Sequence, residues 1–514
     1  MEIPQHSYLS RKPKKGVFEL LSIAIGFLKN RPALSVPALI SLGPSIVQNT
    51  LLVLAFLYMV ENVFEIDILK EIVKEGEIGL IPELLRYISV FIRFYAIAFI
   101  LGRILSKAFY STFFYPYAYK LLKGEESDFF IEVRNLLRYF GKMLKAALVI
   151  EGISIGIPVL ILVYALDNFL KIMHFEEMIS PKLSWSIENL VILTSLLLVI
   201  LLLAGMALIF GILFIFVYQI IVVEDLSLPT AIAKSVFLAL KNIVDIAIYM
   251  VLQFILTLII VLATLLLQLF SVQISELVYL VTGILFYPIL DLVILGIYLQ
   301  SINQSIIAPK ETVYSFTEVF LRIFNKGVAV FKNFISLENL PYLIYAVLVY
   351  LTGFILGTEY SKGPLGEIFS IFISSEKLNV AFQGAQFSLS SSIFAHNWQV
   401  SASTILSGVL TFAIPAINCF FNGVILGLMY GLIPVEIFII GIFPHGVIEL
   451  PSFLLAASSG IKLGYYIIAK REELGTVLRE AVYLSIGLAP LFLIAALIES
   501  LITPQVLKIF SVKF

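Results

Sequence analysis

The sequence has a single cysteine, Cys419, only two tryptophans and four histidines in 514 residues. One cysteine excludes an internal disulfide and any zinc cage built from thiolates. Charge is also scarce: Asp, Glu, Lys and Arg make up 13% of the chain, against about 25% in soluble domains. Apolar side chains make up 60% of residues, with a mean hydropathy of +1.03. This excludes a soluble protein with one anchor and defines an all-α polytopic membrane protein. The net charge of -1 says nothing about partners; the distribution of Lys and Arg says more. The N-terminal MEIPQHSYLSRKPKKG is polar, and no small-residue cleavage site follows an apolar core of the right length. The first spanning helix is therefore expected to serve as a start signal and stay in place.

A spanning helix needs about 20 apolar residues. That criterion predicts about ten membrane segments. Six lie near 34–60, 87–119, 144–166, 190–222, 243–270 and 276–307, and four near 340–358, 404–430, 433–469 and 477–502. Lys and Arg collect on the cytoplasmic side. Arg11, Lys12, Lys14 and Lys15 place the N-terminus there, in a cell membrane. Lys120, Lys123, Arg134, Arg138, Lys142 and Lys145 follow after two crossings, Lys234 and Lys241 after four, and Lys310, Arg322, Lys326 and Lys332 after six. Loops at 61–86 and 167–189 fall outside and are rich in Glu.

Four amphipathic stretches, Val17–Asn30, Phe129–Lys142, Leu228–Asn242 and Val313–Asn333, precede alternate spans. Three end on a Lys-Asn pair. They are expected as interfacial helices, apolar face down in the headgroup region, and their recurrence suggests an internal repeat. The expected organisation is a six-span membrane domain over 1–310, a cytoplasmic connector over 311–338 and a second membrane domain over 339–514. Residues 359–403 fall outside by count. Their apolar patches (Ile368–Ile373, Phe394, Trp398) predict a packed, partly re-entrant cap.

The most unusual stretch is Ile439–Gly464, IIGIFPHGVIELPSFLLAASSGIKLG. It is apolar, yet it holds His445 and Glu449 and is interrupted by Pro444, Gly446 and Pro451. Ionisable groups at membrane depth are costly and turn toward protein or a water-filled cavity. His445 and Glu449, four apart, share one helix face. Lys470, Arg471 and Arg479 belong in the cytoplasm, which predicts that 433–469 enters and returns on one side as a broken, re-entrant hairpin. Its corner would lie at Pro444-His445-Gly446, with Glu449 in the first turn of the returning arm. Two full crossings with an outer turn at 444–446 keep Lys470 on the same side equally well.

Asn397, Asn422, His445, Glu449 and Glu499 are the candidate binding residues, a polar cluster in the C-terminal half. Asn418 and His396 stand nearby. The catalytic candidates are Glu449 and His445. No cofactor is expected and no metal, though His445 and Glu449 would be its ligands if one were present. Gly423, Gly427 and Gly431, with Gly460 and Gly464, form small-residue stripes suited to close helix packing. Arg93 and Asp291, both within spans, are expected to pair as a structural ion pair. The expected partners are membrane lipids, other membrane proteins and a further copy of this chain; no nucleic acid is expected.

PHGVIELP, the following GIKLG, and Glu499-Ser-Leu-Ile-Thr-Pro504 resemble the stage II sporulation protein M family of integral membrane proteins. HNWQVSAST and NCFFNGVILG resemble its asparagine-bearing segments. On that resemblance Asn397, Asn422, Gly423, His445, Gly446, Glu449, Gly464, Glu499 and Pro504 occupy its motif positions, within roughly the last third of the chain. The first 310 residues resemble, far more weakly, uncharacterised multi-pass prokaryotic membrane domains. The resemblance implies a membrane scaffold that gathers cell-envelope remodelling factors, with a His445–Glu449 contact holding the hairpin turn. Two other functions fit the residue types. A broken helix with polar residues at its turn suits a transporter or lipid-translocating protein. A glutamate-activated water with His and Asn donors suits an intramembrane hydrolase or protease.

Overall fold

A computed structural model describes residues 14–62, 81–172, 187–269, 275–309, 315–363, 366 and 387–509. Arg11, Lys12, most of the Glu-rich loops at 61–86 and 167–189, and the patch Ile368–Ile373 lie outside the described residues. The protein is all-helical, with no strand among the described residues. The first half comprises α1 (Val17–Asn30), α2 (Val36–Ile40), α3 (Ser45–Asn62), α4 (Ile81–Leu122), α5 (Phe129–Leu136), α6 (Phe140–Glu151), α7 (Ile157–Ile172), α8 (Ile187–Leu213), α9 (Val217–Val223), α10 (Leu228–Lys241), α11 (Ile243–Leu269) and α12 (Ser275–Ser301). The second comprises α13 (Phe316–Phe334), α14 (Leu340–Tyr360), α15 (Phe387–Ser407), α16 (Ala413–Leu432), α17 (Val435–Ala469), α18 (Leu474–Leu497), a π-helical turn over Ile498–Ile502, and α19 (Thr503–Ile509).

Among the described residues, ten stretches are long and apolar enough to cross a membrane. Leu202 (69% exposed) and Phe254 (67%) stand out from α8 and α11. That is normal in a bilayer, where acyl tails are as apolar as leucine and packing rather than hydrophobicity holds helices together.

All four amphipathic stretches are helical where they are described. Asp128 caps α5 by accepting from the Phe130 amide at 2.8 Å, and Ser315 and Glu318 form a capping box on α13. The apolar face of α1 does not lie on lipid, however. Val17, Leu20, Ala24, Phe27 and Leu28 are buried, and Leu20 packs on Gly296 of α12. α10 and α13 do keep exposed apolar residues: Phe237 and Leu240 on one, Phe316, Phe320 and Leu321 on the other.

One core joins the two halves. Tyr115, Phe216 and Tyr298 belong to the same buried cluster as Leu406, Leu463 and Leu484. At the seam, a Cβ on Gly43 would come within 2.6 Å of the Leu406 backbone. Arg479 binds both carboxylate oxygens of Asp128, at 3.1 and 3.0 Å.

Further sequence expectations are corrected. The segment 433–469 is neither a hairpin nor a re-entrant loop: α17 runs unbroken for 35 residues through Pro444 and Pro451. A corner at membrane depth orphans up to four N–H and four C=O groups where no water can replace the lost bonds. Each helix proline removes a single backbone bond, at about 3 kcal/mol, so continuity costs less. The expected span 404–430 is also two elements, because α15 ends at Ser407 and α16 begins at Ala413.

The second correction is that α15 is a transverse helix and not part of an outer cap. α14 and α16 run parallel. Cβ atoms on Gly353 and Gly357 would lie 2.1 Å from the carbonyl oxygens of Phe420 and Val424, and ones on Gly423 and Gly427 would lie 2.2 and 2.0 Å from those of Tyr350 and Phe354. Two consecutive spans can be parallel only if the chain returns between them, and α15 makes that return. It runs antiparallel to α18: Ser390 bonds Ser500, and the Trp398 indole donates to the Ser485 carbonyl at 2.7 Å. With α15 running back, the end of α17 lies beside the start of α14, where Lys462 binds Asn339, without any hairpin.

Third, Arg93 and Asp291 do not pair. Arg93 binds Asp167 at 2.6 Å, and Asp291 accepts from the Tyr115 hydroxyl at 3.0 Å. Asp291 lies against the buried aromatic core of Tyr115 and Tyr218, where a phenol satisfies it. Arg93 is nearer the end of its span, level with the end of α7. Arg103 binds Glu151 at 2.9 Å.

Candidate functional site

The site is assembled by α15, α17 and the end of α18. His445 and Glu449 share one face of α17, ten and fourteen residues from its first residue, so they lie about 15–21 Å along the helix. α15 runs alongside and presents His396 and Asn397 at the same level. Glu499 enters from the π-helical turn that follows α18. Such turns are uncommon and recur at functional sites; here the extra residue per turn sets the direction in which Glu499 leaves the helix.

Ser392, Ile393, His396, Asn397, His445, Glu449 and Glu499 line one polar cavity of about 350 Å³. The metal-ligating atoms of His445, Glu449 and Glu499 all lie within 4.8 Å of one another. Asn397 faces the Glu449 carboxyl group as a hydrogen-bond donor. Yet Nδ1 of His445 and Oε2 of Glu449 are both buried and have no partner among the described residues. The cluster is close-packed but not self-satisfied.

The polar cavity merges into a larger one of about 880 Å³, which shares Ile393, His396, Asn397, His445, Glu449 and Glu499. The remaining wall is mostly apolar, with Tyr350, Leu426, Phe438, Phe453 and Phe492 among its residues. Phe443 and Val447 also line it while being 66% and 54% exposed, so it reaches the outer face of the bundle.

The structure therefore brings four of the five expected cluster residues together. The fifth, Asn422, lines only the larger cavity. Its amide donates to the Asn418 carbonyl at 2.9 Å, and the Asn418 amide donates to Thr404 Oγ1 at 2.6 Å. Ser392 was not among the candidates, and only its position four residues before His396 pointed to it. Gly423 and Gly427 seat α16 on α14, and Gly431 lies against Ser361. Gly460 lies against the Thr404 carbonyl and Gly464 against the Phe412 backbone. Cys419 is buried and donates to the Ala346 carbonyl at 3.4 Å.

Comparison with known proteins places this site within a family domain. Residues 342–504 match the family described as Stage II sporulation protein M. An uncharacterised protein of Methanocaldococcus jannaschii is 30% identical over 176 residues, which cover 94% of that protein and 32% of this chain. The chain belongs to the stage II sporulation protein M family. A second uncharacterised protein of the same archaeon is 26% identical over 188 residues, covering 85% of its length and 35% of this chain. No solved structure matches. The sporulation-protein-M domain thus begins just inside α14 and ends at Pro504, two residues past the π turn. Every side chain lining the polar cavity falls within it.

Proposed function

We propose that the sporulation-protein-M domain binds an amphipathic, lipid-like molecule within the membrane, with its polar end held by Asn397, His445, Glu449 and Glu499. The carrying observation is the continuity of the two cavities: a small polar chamber opens into an apolar one that reaches the lipid-facing surface. Ligand sites of roughly 300–1,000 Å³ have this design, largely apolar with a few convergent polar groups. The unpartnered atoms of His445 and Glu449 support it too. A network whose only task is to fix the fold is expected to satisfy its own members. The reading makes this protein a lipid-handling or lipid-translocating one.

Native mass spectrometry of protein released directly from membranes tests this reading. The expected result is one retained lipid per chain, lost in Leu426→Trp, which fills the apolar chamber. Equal lipid retention by the wild type and that variant would overturn it.

The organising role implied by the family is the second reading. What favours it is the exposed row of Phe316, Phe320 and Leu321 on α13, a surface that another membrane protein would cover. Photocrosslinking from position 320 in cells would capture a defined protein on that reading, and only lipid otherwise. The N-terminus and the ends of the loops carrying Lys and Arg are cytoplasmic in both readings.

A further inference from the structure

We propose that His445, Glu449 and Glu499 form a zinc-class divalent-cation site. The site shares its residues with the polar end of the proposed lipid site, and a bound headgroup would meet the ion there. Its first support is geometric. His445 and Glu449 project from successive turns of one helix, and Glu499 faces them from the π turn, with all three ligand atoms within 4.8 Å. Around a tetrahedral zinc with bonds of about 2.0–2.1 Å, ligand atoms sit roughly 3.3 Å apart. Closing the set asks for a shift of about 1.5 Å at most, which rotation of two glutamate side chains supplies.

The second support is that the Nδ1 atom of His445 and the Oε2 atom of Glu449 are buried without partners among the described residues. Those are one imidazole nitrogen and one carboxylate oxygen, the donor types zinc takes. The third is electrostatic. Two carboxylates this close at membrane depth repel and are poorly solvated; a dication between them leaves the site near neutral. The donor set also selects the ion. An imidazole with two carboxylates suits zinc and its neighbours, whereas calcium and magnesium favour all-oxygen shells.

Three protein ligands leave a fourth position open, the arrangement of catalytic rather than structural zinc sites. That position faces the polar cavity lined by Asn397 and His396. A water or an anionic headgroup oxygen would occupy it. With His445 and Glu449 as ligands, a water held there would be activated by the ion and not by Glu449, because a zinc-bound water deprotonates near neutral pH.

The test uses full-length protein purified with a tag free of histidine, stripped with a chelator and titrated with zinc chloride by calorimetry. The expected result is one zinc per chain, with affinity at least tenfold weaker in H445A, E449Q and E499Q and unchanged in E436Q. Magnesium chloride at the same concentrations should give no saturable heat. X-ray absorption of the zinc-loaded wild type, which needs no variant to fold, should show oxygen and a single imidazole at about 2.0–2.1 Å and no sulfur. Absence of saturable zinc binding, affinity untouched by all three substitutions, or a sulfur or multi-imidazole shell would each overturn the site.

Discussion

The Lys462 ammonium lies 2.6 Å from the Glu480 carboxylate and 2.8 Å from the Asn339 amide oxygen. It thereby ties α17 to α18 and to the residue before α14. The Phe334 ring centroid is 5.6 Å from the same nitrogen. The Lys462 side chain is only 10% exposed and that of Glu480 26%. Removing one partner of a buried pair strands the other charge, which costs about 3–5 kcal/mol. We expect Lys462→Met to lower the melting temperature in detergent by many degrees. The double variant K462M/E480Q should recover more than half of the loss, because no charge is then left unpaired.

The glycine seam between α14 and α16 makes a second expectation. A Cβ on Gly353 would stand 2.1 Å from the Phe420 carbonyl oxygen, a backbone atom that cannot swing aside. Gly353→Ala should therefore be destabilising despite alanine's better helix propensity. Gly441→Ala has nothing within 4 Å of the new methyl and should melt unchanged or slightly higher, by up to about 1 kcal/mol. Paired melting curves of the two variants measure the difference.

A third concerns the path of α15. If it crosses, residue 412 lies on the side of residue 471, and residue 436 on the side of residue 362. Cysteines at these positions, placed one at a time in a Cys419→Ser background, should label with a membrane-impermeant maleimide in those two pairs. The hairpin arrangement would exchange 412 and 436, so labelling in sealed vesicles separates the two directly.

Glu449 offers a fourth. In metal-free buffer, Glu449→Gln removes a carboxylate whose Oε2 makes no hydrogen bond among the described residues. A neutral amide at that depth is cheaper than a charge. The variant should melt at the wild-type temperature or above it, in contrast to Glu480→Gln, which should melt lower. A large drop for Glu449→Gln would restore a purely structural role.

The legibility of the site in the sequence was uneven, for reasons specific to each residue. His445, Glu449 and Glu499 stood out because ionisable groups inside apolar runs need an explanation. Asn397 was carried by the family motif. Asp167 went unnoticed as the partner of Arg93, since it sits near a span end where charge is unremarkable. α15 was misplaced because Ser388, Ser390, Ser391, Ser392, Ser401, Ser403 and Ser407 make it too polar to register as a span. Most of its described serines are buried or half-buried. Ser407 bonds its own helix, donating to the Thr404 carbonyl at 2.8 Å, and Ser390 bonds Ser500, so both hydroxyls are satisfied within the protein.

Composition and run length by themselves determined an all-helical membrane protein with about ten long apolar stretches. Hydropathy sums the cost of contact with acyl chains, and that cost acts locally along the chain. Only the tertiary structure decided that α15 runs back antiparallel to α18, that α17 continues through two prolines, and that Glu499 meets His445. A polar helix enclosed by its neighbours incurs no lipid penalty, and a proline's missing bond is weighed against the larger cost of breaking the helix. Both balances depend on which surfaces surround the segment, and no linear pattern records those surfaces.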